Sequence, residues 1–202
     1  ASFADPVTIR QGGAGGAITV NGLITGTDNA SVTLTAPGSI ALNGVGVTTA
    51  NQNVTLTGPV SLATGAVAIN AGSGDVSFSS TINGAQTLTV NSTGTTTFSG
   101  AIGGGTALTS LTTNAGGTTA LNGGAVTTTG AQLYSDAATL GAATTLNAGV
   151  GSITFSSTIN GGFDLAANST GTTTFTGAIG GATALTSLTT NAGGTTQING
   201  GA

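Results

Sequence analysis

Residues 151–202 repeat residues 74–125 at a fixed offset of 77, with 40 of 52 positions identical and no insertion. The heptapeptide Phe78–Gly84 (FSSTING) returns unchanged as Phe155–Gly161, and Ala107–Thr119 returns unchanged as Ala184–Thr196. A chain that copies itself this closely builds its fold by stacking like units, each burying its apolar face against the next. The second copy stops at Ala202 in mid-unit and the chain starts without Met, so the sequence reads as a segment of something longer.

The local pattern is that of strands. Short runs such as Ser31–Thr35 (SVTLT), Asn53–Thr57 (NVTLT) and Thr87–Val90 (TLTV) alternate apolar and small polar residues with period two. β-branched side chains suit such strands. Asn-Gly pairs at Asn21, Asn43, Asn83, Asn122, Asn160 and Asn199 mark corners, because both residues accept positive φ. Gln132–Leu140 (QLYSDAATL) has only weak helical spacing and reads as strand, turn, strand.

A hairpin meander would leave flat edges, which proteins usually blunt with Lys or Pro. None is placed for that here. A parallel β-helix accounts for more, since each turn of the coil pairs with the turns above and below. Phe78, Phe98, Leu121, Leu140 and Phe155 mark four layers per unit, or about 19 residues per turn. The expectation is an all-β solenoid of roughly 10 to 11 turns, on the order of 50 Å long. Phe78 should lie by Phe98 inside it, Phe155 by Phe175, and Asn and Thr should form hydrogen-bonded ladders at its corners. The chain divides into 1–16, a lead strand that could join an open end of the coil; 17–73, divergent turns; 74–150, the first unit; and 151–202, the truncated second unit.

Composition then limits the chemistry. Arg10 is the only cation; Asp5, Asp28, Asp75, Asp136 and Asp164 are the only acids, and His, Cys, Lys, Glu, Met and Trp are absent. Ser and Thr abound, but no base is present to activate them, so catalysis is not expected. No basic patch offers itself to nucleic acid, and no run is long and apolar enough to span a membrane as a helix. Ala71–Asp75 (AGSGD) distantly resembles a calcium nonapeptide, but it occurs once and calcium rolls need tandem copies. It reads as a Gly-rich turn. No catalytic, cofactor or metal residues are expected, and Tyr134 is expected to pack or to anchor a corner by its polar tip.

The run Gly130–Leu146 (GAQLYSDAATLGAATTL), with Thr95–Gly103 (TTTFSGAIG) and Ala107–Asn122, resembles the tandem repeats of large bacterial surface proteins, the filamentous-haemagglutinin-like, two-partner-secreted adhesins. The resemblance covers residues 75–202 best and residues 17–74 more loosely. It implies a right-handed parallel β-helix shaft, export across an outer membrane, and a place on the cell surface or in a biofilm matrix. The secretion domain of that family carries Asn-Pro motifs. None occurs here, since Pro6, Pro37 and Pro59 follow Asp, Ala and Gly.

Two functions are then expected to compete. One is a non-enzymatic shaft that supplies length, stiffness and protease resistance and associates with itself end to end through strand pairing. The other is an ice- or surface-binding face built from Thr. Ice binding wants Thr-x-Thr on one side of the coil, turn after turn. Runs such as Thr95–Thr97, Thr127–Thr129 and Thr172–Thr174 instead place neighbouring Thr on opposite sides.

Overall fold

The computed structural model describes residues 1–201. It is all β: 26 short strands, and no helix among the described residues. Every strand pairing is parallel, which requires the chain to travel around before it returns beside itself. The result is a β-solenoid of about 9 turns with about 22 residues per turn. The step is visible in the register: Val32 pairs with Val54, and Val54 with Val76, each 22 residues on. The expected 19 residues per turn is too short and the expected 10 to 11 turns too many. At the usual spacing of about 4.8 Å between paired strands, nine turns make a rod of about 43 Å.

The coil has three faces. The first is a ten-stranded sheet running from Ser2–Phe3 to Thr195–Ile198, and the second an eight-stranded sheet from Val7–Arg10 to Ile159–Asn160. The third begins at Ala17–Val20 and ends at Ser187–Thr190. It consists of two four-stranded sheets joined by bridges from Ile82 to Ile102 and from Ile102 to Val126. Strand pairing continues without a break past residues 16, 73 and 150.

Period-two patterning explains the burial. In Ser39–Asn43, Ile40 and Leu42 point inward while Ser39, Ala41 and Asn43 point out. Inward residues of one turn stack on those of the next: Leu34, Leu56, Phe78, Phe98, Leu121 and Leu140 form one column of the second face. Apart from Ala30, the buried apolar side chains form a single continuous core. The ring pairs fall as expected, with Phe78 stacked on Phe98 at 5.3 Å between centroids and Phe155 on Phe175 at 5.5 Å. Tyr134, expected to pack or to anchor a corner, packs: it is fully buried and stacks on Phe155 at 4.8 Å.

The repeat does not contain a whole number of turns. Val76–Phe78 lies on the second face, whereas its copy Ile153–Phe155 lies on the first. Thr87–Ser92 lies on the first face and its copy Asp164–Asn168 on the third. Ile82–Asn83 lies on the third and its copy Ile159–Asn160 on the second. From Val76–Phe78 the chain crosses eleven faces to reach Ile153–Phe155, counting the bridge at Ile102. Eleven faces are three turns and two-thirds of a fourth, so 77 residues give 21 per turn in this unit. Four layers per unit is therefore wrong. The step from Leu140 to Phe155 crosses two faces and falls short of a full turn, because Leu140 pairs with Leu121 while Phe155 pairs with Tyr134.

Rotation by a third of a turn leaves the local structure intact. Asn83 Oδ1 accepts from the amides of Gly105 (2.7 Å) and Thr106 (3.1 Å), and Asn160 Oδ1 accepts from Ala182 (2.9 Å) and Thr183 (3.2 Å). Gly84 and Gly161 hold φ of 132° and 134°, in the region L side chains avoid. Of the six Asn-Gly corners, Gly44, Gly84 and Gly161 take positive φ; at Asn122 the positive φ falls one residue later, on Gly124.

Candidate functional site

The titratable side chains are spread along the rod. Among the described residues no three acids or other metal-ligating groups come together. Asp75, in the Gly-rich turn, spends its carboxylate on the chain itself: Oδ1 accepts from the Thr95 amide at 2.7 Å. Asp164 Oδ1 accepts from Ser187 Oγ at 2.6 Å. Asp28 sits at positive φ in an exposed turn, and Asp5 and Arg10 are exposed near one end.

The polar chemistry that does converge lies inside the coil, where the core turns from Val and Leu to Thr, Gln and Asp. Gln132 is buried and fully partnered. Its Nε2 donates to the Asn147 carbonyl (3.0 Å) and Thr128 Oγ1 (3.1 Å), and its Oε1 accepts from the Tyr134 hydroxyl (3.0 Å). Burial pushes the Tyr134 phenol pKa up, so it stays a neutral donor. One corner away, Asp136 is 2 % exposed and accepts from the Gly117 amide at 2.8 Å and from Thr119 Oγ1 at 3.2 Å. Thr119 Oγ1 also lies 3.1 Å from Thr113 Oγ1. Desolvation raises the Asp136 pKa above the usual aspartate value, and the two hydrogen bonds oppose that rise. A satisfied internal network of this kind fixes register, since any slip strands a buried polar group. Nothing in the sequence pointed to it beyond an Asp two residues after the single Tyr.

Outside, ladders run along the faces. Asn91 Nδ2 donates to Asn70 Oδ1 (2.7 Å), Asn70 Nδ2 to Thr48 Oγ1 (3.1 Å), and Asn168 Nδ2 to Asn147 Oδ1 (3.0 Å). A shallow groove follows the last of these, lined by Asn147, Asn168 and Asn191 among others. The Thr runs alternate as expected: Thr96 and Thr173 point inward and are buried, and their neighbours point out. Thr33 and Thr35 stack under Thr55 and Thr57 on the second face, but the column continues as Ser77, Thr97 and Ala120. The copy of Thr95–Thr97 then lies on the first face, as Thr172–Thr174. Among the described residues no outward face repeats the same array.

Comparison with family models, with curated proteins and with solved structures found no match for this chain. No helix among the described residues is long and apolar enough to cross a membrane.

Proposed function

We propose that this chain is a non-enzymatic shaft, a stiff repetitive rod that sets distance in an extracellular bacterial fibre or surface adhesin and lengthens by strand pairing at its ends. The observation that carries the reading is the rotation of the repeat. A binding face requires equivalent residues to return to the same side, and here they return one-third of a turn away. A spacer requires only that each turn support the next, which the continuous pairing on three faces supplies. The scattered acids, each hydrogen-bonded within the chain or exposed alone, fit the same reading. So does a single Arg in 202 residues, which leaves trypsin-like proteases one target. The placement at a cell surface or in a matrix rests on the resemblance of residues 75–202 to adhesin repeats.

Electron microscopy of the purified chain tests the reading. Straight rods of uniform width, about 43 Å long or in end-to-end multiples of that, support it. Flexible or collapsed particles overturn it. The competing Thr-face reading predicts thermal hysteresis; the shaft predicts none.

A further inference from the structure

Asparagine is a chemically labile residue, and most so before glycine. A glycine nitrogen has no side chain beside it and can reach the preceding Asn Cγ. Four Asn-Gly pairs stand in the inner coils, at Asn43, Asn83, Asn122 and Asn160, and the fold holds them differently. At Asn83 and Asn160 both reacting groups are tied to the next coil. Each Oδ1 accepts from two amides there. The would-be attacking nitrogens are engaged as well: Gly84 N–H donates to the Thr106 carbonyl and Gly161 N–H to the Thr183 carbonyl, both at 3.1 Å. Two donors polarise a carboxamide, but the ring cannot close until these bonds open. The lock recurs on a different face in the second copy, so it belongs to the corner. Asn43 is half-buried, and its Nδ2 donates to Asn21 Oδ1 at 2.6 Å.

Asn122 has none of these restraints. It follows Thr118–Leu121 at the corner between the second and third faces, and it is exposed. Its Oδ1 lies over Gly141 of the next coil, in space that a Cβ would otherwise fill, and no hydrogen bond among the described residues ties it there. The Gly123 N–H likewise donates to no backbone carbonyl among the described residues. Packing nonetheless dictates glycine at 123, because a Cβ there would stand 2.1 Å from the Gly100 carbonyl oxygen. The close approach of two coils thus supplies the reactive half of the pair, and nothing restrains the other half.

We propose that Asn122 is a self-modification site, which deamidates in the intact rod while Asn83 and Asn160 are preserved. The Gly123 nitrogen attacks Asn122 Cγ, gives its proton to solvent and expels the side-chain nitrogen as ammonia, closing a succinimide ring. Water then opens the ring at either carbonyl and leaves Asp or its β-linked isomer. One water enters and one ammonia leaves; no oxidant or second enzyme takes part. Each event adds one negative charge to a chain of formal net charge −4. The β-linked product lengthens the main chain by one atom. The Gly123-Gly124 corner, with Gly124 at a φ of 72°, has the freedom to absorb it. A rod therefore grows more acidic with age and keeps its fold, whether or not it serves as a shaft.

The test is incubation of the full chain in mildly alkaline buffer, once folded and once in denaturing urea, followed by peptide mapping with mass spectrometry. In the folded rod Asn122 should convert at least about tenfold faster than Asn83 and Asn160, since those corners react only while locally open. In urea the three pairs should convert at similar rates. Asn122→Ser should keep the wild-type melting curve, as an exposed substitution does, and should remove the slow acidic shift of the folded rod on isoelectric focusing. An Asn122 that stays intact in the folded rod, or converts no faster than Asn83 and Asn160, overturns the proposal. So does a difference between the sites that persists unchanged in urea, because the fold would then not be its cause.

Discussion

Removing residues 74–150 tests whether the faces of this rod are interchangeable. The deletion joins Ser73 to Gly151 and puts the second copy where the first had been. Phe155 and Phe175 then leave the first face for the second, and Phe155 takes the neighbour of Phe78, which is Leu56. Because the corners of the two copies are hydrogen-bonded alike, with Asn160 acting as Asn83 does, the shortened chain should fold. The excised segment is three and two-thirds turns, so the rod should shorten by about 18 Å. It also holds about two-fifths of the nine turns, and the denaturant m-value should fall by a similar fraction, since m scales with the surface exposed on unfolding. Small-angle scattering measures the length, and urea titration followed by circular dichroism measures m. A chain that fails to fold, or folds without shortening along its axis, refutes the equivalence of the faces.

Other perturbations separate the contributions. A double-mutant cycle on Tyr134 and Phe155, stacked at 4.8 Å, should show about 0.5–1.5 kcal/mol of coupling beyond additivity, while Tyr134 and Phe78, on different faces, should be additive. Gly84→Ala places a methyl group on the Leu62 carbonyl oxygen at a φ of 132° and should cost at least about 2 kcal/mol in a urea melt, whereas Gly104→Ala meets open space and should change stability by less than about 0.5 kcal/mol. The folded-state pKa of Asp136 is raised, so its stabilising share is full below about pH 3.8, the unfolded value, and is lost as pH rises through the folded value. Wild type should thus lose stability relative to Asp136→Asn between pH 3 and neutrality in paired thermal melts; the opposite slope would contradict the burial. Trypsin should cut native rods only after Arg10, and mass spectrometry of the digest checks this.

The sequence made the solenoid legible because its two strongest signals are local and redundant. Period-two alternation sets which residues point inward, so the Phe78–Phe98 and Phe155–Phe175 pairs are legible in the sequence. The number of residues per turn was not, because it depends on corner lengths. These vary from turn to turn: Val54 pairs 22 residues on, Val76 only 20, and Thr119 only 19. Large apolar residues mark columns, but they do not say which face a column lies on. Leu140 and Phe155 therefore looked like successive layers of one stack. The buried Gln132–Tyr134 and Asp136–Thr119 contacts are not legible in the sequence for a related reason. A lone polar residue in a strand looks the same whether its corner turns it outward or in.

Engineered disulfides test that change of face directly, in a chain with no native cysteine. Leu133 and Thr154 are adjacent outward-facing partners on the first face, so Leu133→Cys with Thr154→Cys should cross-link on mild oxidation. Thr139 would be the partner of Thr154 if Leu140 and Phe155 were successive layers; in the rod it lies on the second face, beside Asn160. Thr139→Cys with Thr154→Cys should remain reduced. Efficient cross-linking of that second pair, with none in the first, would contradict the rotated repeat and restore four turns to the unit.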